Sequence, residues 1–267
     1  MFDCHFHPIT KEDYAFYRKS SNASKVLNVR SINNPCVQPP FDFNEFKDVE
    51  EMFFLDSVDL NDVDNELKKV ENDLKKFKRI VGLKIYLGYQ PYFANDERVF
   101  KVAEFAKKRC LSVAFHCGET YTEFSDECND MYSNAKYLEP LLKAFPEVNF
   151  IASHLNWPYF DDLFSLIQKY DNIFTCVAGT NDARTPEKRE EYNLEIKEVL
   201  NKHFKKYPKL KLRLMFGTDF FIDDIAFNEV SSYERLVNSL DLLNDEKQDV
   251  FENTIYKAYP LLKNEEV

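Results

Sequence analysis

Short apolar runs alternate with longer segments of helical spacing from one end of this chain to the other, and that alternation constrains its fold more than any other feature. The runs cover residues 2–8, 26–32, 52–58, 80–87, 111–117, 149–155, 172–178 and 212–219. Such alternation predicts parallel strands joined by helical crossovers. Between the third and fourth runs Val63, Leu67, Val70, Leu74 and Phe77 recur at three- and four-residue intervals, the apolar stripe of an amphipathic helix. A second helix begins at Asn95 and carries Val99, Val102, Ala103 and Ala106, and further helical patterns follow residues 135, 158, 186 and 230. Residues 33–48, with three prolines in the first eight, break the rhythm and read as a loop crossing a rim. Eight units in 267 residues, with no linker or low-complexity stretch, favour one (β/α)8 barrel of the α/β class over an open doubly wound sheet. The five glycines agree, since Gly82, Gly88, Gly118, Gly179 and Gly217 all fall in or beside proposed strands 4, 5, 7 and 8.

Charge narrows the partners. Asp plus Glu number 46 against 35 Lys plus Arg, a net charge of -11, which repels phosphate backbones and anionic membrane; a small-molecule substrate is expected and nucleic acid is not. No leader pattern precedes the first run and no apolar run nears the ~20 residues that span a bilayer, so the expectation is a cytoplasmic protein without a membrane segment. The six cysteines are scattered without metal or redox spacing and read as reduced thiols packed as small hydrophobes, Cys117 included. Oligomeric state is not legible.

Four of the five histidines fall at the C-terminal ends of the runs: His5 and His7 in "FDCHFHP", His116 in "LSVAFHCG" and His154 in "NFIASHLNWP". Asp219 in "LMFGTDFF" stands at the same level. A barrel concentrates its chemistry at that rim, so these five side chains should converge. Strict alternation along the first strand would put Asp3, His5 and His7 on one face and Phe2, Cys4 and Phe6 on the other. Imidazole and carboxylate suit zinc and similar divalent ions, and His5 and His7 read as metal ligands. His116 and His154 read as functional through their equivalent positions, and Asp219 as a ligand or base. His203, among lysines in "NKHFKKYPK", reads as a surface residue. Lys84 shares a strand face with Gly82 and Tyr86 and should point inward, as an ion-pair partner, a substrate-binding cation or, if carboxylated, a bridge between two metals.

With these residues in place the chain resembles the amidohydrolase superfamily, in the amidohydrolase-related branch that includes aminocarboxymuconate semialdehyde decarboxylase. The resemblance runs the full length, through "DCHFHP", "IVGLKIY", "LSVAFHCG", "AFPEVNFIASHLNWP", "NIFTCVAG", "RLMFGTDFF" and "ENTIYKAY" in that order. It implies one metal-dependent hydrolase barrel over residues 1–267, with His5, His7, His116 and Asp219 as metal ligands. It also implies a role for His154 at the substrate or the activated water. One zinc is expected, with manganese, iron or cobalt as alternatives and a two-metal site through Lys84 left open. Asn156 stands where glycine is common and Phe221 where proline is common; neither removes a ligand.

The implied reaction is hydrolysis of a small ester, lactone or amide by a metal-activated water, Asp219 relaying the proton and His154 bonding the developing oxyanion. The alternative is non-hydrolytic decarboxylation of a small carboxylic acid, which Arg30 and Arg184 could clamp. A metal-dependent nuclease and a non-catalytic metal-binding barrel rank below these. Specificity should reside in rim segments 33–48, 119–134 and 179–190, with Glu119, Thr120, Trp157 and Asn181 as pocket-lining candidates.

Overall fold

The computed structural model describes residues 1–34, 37–120, 128–181, 185–221 and 230–263. It is an α/β barrel. Strands β1 (Phe2–Phe6), β2 (Lys25–Val29), β3 (Met52–Ser57), β4 (Ile80–Ile85), β5 (Ser112–Phe115), β6 (Phe150–Ala152), β7 (Ile173–Cys176) and β8 (Leu214–Met215) run parallel in sequence order. Each lies inside one of the eight apolar runs except β2, which begins one residue before the second run. The ring closes at the rim, where Asp219 N–H donates to the His5 carbonyl (2.7 Å) and His7 N–H to that of Phe220 (2.7 Å).

Helices α1 (Lys11–Ser20), α2 (Val63–Lys76), α3 (Glu97–Arg109), α4 (Asp130–Ser133), α5 (Glu139–Ala144), α6 (Phe160–Lys169), α7 (Pro186–Lys206), α8 (Val230–Ser239), α9 (Asn244–Gln248) and α10 (Thr254–Ala258) follow among the described residues. The stripe that marked α2 buries Val63 and Val70 as expected. Sequence reading passed over α1, although its start is signed: the Thr10 hydroxyl accepts from Asp13 N–H and the Asp13 carboxylate accepts from Thr10 N–H, a capping box. The described residues of segment 33–48 are irregular apart from one 3-10 turn, but they also include buried Phe41, Phe43 and Phe46. Among the described residues no helix is long and apolar enough to cross a membrane.

Two apolar layers follow from strand periodicity. Facing outward, Leu83, Ile85, Val113, Phe115 and Phe150 pack with helix residues such as Val99, Val102, Leu163 and Phe164. Inside, Phe2, Leu27, Leu55, Ile151 and Met215 pack with Ile255, Ala258, Tyr259 and Leu262 of the C-terminal segment. That segment plugs the end where strands begin, because Ser112 Oγ donates to the Ala258 carbonyl (2.7 Å).

The first strand departs from strict alternation. Asp3 pairs with Val26 and Phe6 with Asn28, so three steps on β1 span two on β2, a β-bulge. Cys4 therefore packs in the barrel interior and Phe6 outward against Tyr14 and Tyr17 of α1, while His5 and His7 both line the mouth cavity. Asp3 is turned out of that face. It accepts from Tyr17 OH (2.8 Å), Thr218 Oγ1 (2.6 Å) and the His5 N–H (3.1 Å) displaced by the bulge.

His203 is a further correction. It is 6% exposed, its Nδ1–H donating to the Val199 carbonyl (2.6 Å), because it shares the buried stripe of α7 with Ile196 and Leu200 despite its lysine neighbours. Cys4, Cys117 and Cys176 are buried free thiols, Cys128 is also buried, Cys110 is exposed at the left-handed C-cap of α3, and Cys36 lies outside the described residues.

Candidate metal centre

At the C-terminal rim a cavity of about 460 Å³ has His5, His7, His116, His154 and Asp219 among its lining. That volume suits a small molecule. His5, His7 and Asp219 form the tightest group, with ligand atoms all within 4.8 Å of one another. Asp219 Oδ1 stands 3.0 Å from His7 Nε2 and 3.3 Å from His5 Nε2.

The protonation pattern decides what those short distances mean. His7 Nδ1 lies 2.7 Å from the Val29 carbonyl, which can only accept, so this nitrogen carries the ring proton. In the neutral ring Nε2 is then a bare lone pair facing a carboxylate oxygen, and two acceptors that close repel unless a cation joins them. Two ligand atoms held about 2.0 Å from one tetrahedral ion stand about 3.3 Å apart, which is the spacing seen. The donor set thus fits a divalent cation. Burial, with Lys84 behind it, holds the His5 imidazole well below its usual range, so the ring is neutral. Burial alone would raise the Asp219 carboxyl, but His154, His5 and His7 together hold it well below the carboxylate range. Both residues stand in the protonation state that ligation needs.

Beneath the group, Lys84 is fully buried and points inward as expected. Its Nζ donates to Ser153 Oγ (3.3 Å), which lies 3.3 Å from His5 Nδ1. Burial pushes the ammonium down to about 8, with Asp219 opposing, so it stays largely protonated at neutral pH.

The rim backbone is shaped to bring these groups together. His154, Leu155 and Asn156 have φ of 61°, 53° and 57°, and Asp219 has 56°, all in the left-handed region. Residues held there cost about 1–3 kcal/mol each and persist only where their surroundings over-determine them. Asn156 supplies part of that hold: its Oδ1 accepts from Ala135 N–H (2.8 Å) and its Nδ2 donates to the Tyr159 carbonyl (2.7 Å). Asparagine tolerates this conformation better than most residues, which explains how it can replace glycine here. Gly179, at φ +71°, clears the space between His154 and Asp219: a Cβ there would stand 2.7 Å from His154 Nδ1 and 2.8 Å from Asp219 Oδ2.

Other expected site residues divide. His116 lines the cavity with its ring centroid 4.9 Å from that of His154, but its Nε2–H donates to the Glu119 carbonyl (3.0 Å) and it stands apart from the three-residue group. His154 Nδ1–H donates to the Ala178 carbonyl (2.8 Å), so its neutral ring offers Nε2 as an acceptor and cannot give the oxyanion bond expected of it. Glu119, Thr120 and Trp157 line the cavity. Two do not: Arg30 pairs with buried Asp56 (3.1 Å) away from the mouth, and Asn181 is buried against Asn193 (2.8 Å) and Ser232 (3.1 Å). Parity ends with the strand, so the direction of side chains just beyond it was not legible. Arg184 lies outside the described residues. Sequence reading missed Tyr89 and Tyr192 in the lining; Tyr89 follows β4 closely and could have been flagged, whereas Tyr192 reaches the cavity from α7, far from any strand end.

A family model described as amidohydrolase matches residues 47–261, so β1 and β2 join the matched part only through the fold. No curated protein matches the chain. Among solved structures, an uncharacterised TIM-barrel protein from Bordetella bronchiseptica is similar at TM-score 0.70 and 13% identity over 98% of both chains. A probable 2-pyrone-4,6-dicarboxylic acid hydrolase from Acinetobacter baumannii, with citric acid bound, is similar at TM-score 0.66 and 14% identity, covering 97% of this chain and 98% of that one. A 5-carboxyvanillate decarboxylase mutant from Novosphingobium aromaticivorans, with manganese and a nitrobenzoic acid bound, is similar at TM-score 0.60 and 10% identity, covering 94% and 81%. At such identities the likeness is one of fold.

Proposed function

The chain belongs to the amidohydrolase family, and from that premise we propose that its barrel acts as a single metal-dependent hydrolase domain over residues 1–267 on a small ester, lactone or amide. The observation that carries this reading is the approach of His5 and His7 Nε2 to one oxygen of Asp219, a donor set that fits a divalent cation. His5, His7 and Asp219 would hold the ion, with the His116 ring beside them; zinc is the first candidate, and manganese, bound in the decarboxylase, the second. When bound, such an ion polarises an acyl oxygen and acidifies water.

The chain's own groups supply the rest. Asp219 is ionised, and its Oδ2, away from His5 and His7, accepts a proton from the attacking water and returns it to the leaving oxygen or nitrogen. His154 Nε2 accepts a second hydrogen bond from that water or from a substrate N–H, its ring oriented by the Ala178 carbonyl. Hydrolysis is preferred to decarboxylation because the described residues that line the cavity include no Arg or Lys that could clamp a carboxylate.

Metal-reconstituted protein given panels of lactones, esters, amides and aromatic acids should release acid from an acyl substrate and no carbon dioxide. Carbon dioxide release without hydrolysis would move the assignment to decarboxylation, and inactivity on both panels would favour a non-catalytic metal-binding barrel.

A further inference from the structure

The cavity wall beyond the metal group has a composition of its own. Among its described lining residues the only ionisable side chain outside the histidine and Asp219 floor, apart from tyrosine hydroxyls, is Glu119, and Tyr89, Trp157, Thr120 and Thr180 line the same cavity. Glu119 is fixed by its backbone: its carbonyl accepts from His116 Nε2–H (3.0 Å), and its N–H donates to the Trp157 carbonyl (2.7 Å). Its carboxylate, by contrast, has no hydrogen-bond or ion-pair partner among the described residues. Partial burial and then the nearby Asp130 push its pKa upward. Lys188 is engaged by Glu191 (2.9 Å) and the Tyr192 ring (4.9 Å) and does not line the cavity. Outside the described residues, segments 35–36, 121–127 and 222–229 contain no Lys or Arg, and 182–184 contain only Arg184.

We propose that the end of the substrate remote from the scissile bond is a cation, an ammonium or a guanidinium, received by the Glu119 carboxylate and the Tyr89 and Trp157 rings. A carboxylate and aromatic faces are complementary to a weakly hydrated cation, and the net charge of -11 steers cations toward the protein. A second carboxylate on the substrate would meet Glu119 as a like charge, so this site selects against diacids. The inference rests on the acyl-hydrolase reading and deepens it.

The test uses para-nitrophenyl esters of three acyl chains matched in length and ending in trimethylammonium, tert-butyl or carboxylate. The ammonium ester should exceed the tert-butyl ester about tenfold in kcat/KM, with the carboxylate ester slowest. Glu119→Gln should pull the ammonium to tert-butyl ratio toward one. A ratio unchanged by E119Q would overturn the proposal. So would a carboxylate preference, and its disappearance in R184A would assign the remote end to Arg184 instead. Should none of these three esters turn over, the hydrolytic reading is decided by the wider acyl panel, and the cation site is decided separately by fluorescence of Trp157, the single tryptophan of the chain. Tetramethylammonium, compared with sodium at equal ionic strength, should perturb that emission in wild type and much less in E119Q; no perturbation in wild type would overturn the cation site.

Discussion

The two ends of the barrel are made by the same eight strands and have opposite chemistry. At the end where strands begin, Tyr259, Ile255 and Leu262 fill the ring against Phe2 and Leu27, and the backbone carbonyl of Ala258 is satisfied by Ser112. At the other end, imidazoles and a carboxylate crowd together, four of the residues there sit in the left-handed region, and a buried ammonium lies underneath. The difference separates a packed, apolar end from an open one that carries the chemistry proposed for the barrel. A fold can hold clustered polar side chains and strained backbone at its mouth because well-packed apolar layers elsewhere stabilise the ring.

The largest effect that would sharpen this contrast is on turnover. Asp219→Asn should lower kcat by roughly 10³–10⁴-fold while the urea midpoint stays close to wild type; an active variant would remove Asp219 from the chemistry. At the plugged end, Tyr259→Ala should cost about 3–5 kcal/mol in urea unfolding, without altering cation stoichiometry per folded molecule. A variant that unfolds no earlier would show that the plug is dispensable.

Outside the mouth, buried Asp56 offers a pH test. Burial pushes its carboxyl from 3.8 up to about 6, with Arg30 opposing. A raised carboxyl binds its proton more tightly folded than unfolded, so its stabilising contribution is full below the unfolded value and is lost as pH rises through about 6. Across that window the change is at most about 3 kcal/mol, and Asp56→Asn should flatten it in urea midpoints taken at successive pH values. Gly179→Ala should have the smallest effect on the barrier. It would push His154 and Asp219 apart and lower turnover about 10²-fold, at about 1 kcal/mol in stability, and unchanged kcat would show that the gap between them is not needed.

Much of this contrast was legible from residue order alone. Parallel strands buried on both faces leave apolar runs too regular to miss, and histidines at run ends mark the rim. What escaped has physical causes. The bulge between Asp3 and Phe6 resets parity without a glycine to announce it, so Asp3 was assigned to the wrong face. Arg30 and Asn181 stand just past strand ends, where orientation depends on packing that no period encodes. His154 was recognisable as a rim residue, yet its donor and acceptor sense is set by the Ala178 carbonyl, a backbone group invisible to sequence patterns.

The most direct test is cation binding by chelator-treated protein, followed calorimetrically with zinc for wild type and for His5→Ala combined with His7→Ala. Wild type should bind one ion per chain, and the double variant should bind at least 100-fold more weakly while remaining folded. Equal affinity in the two proteins would contradict a metal centre built on His5, His7 and Asp219.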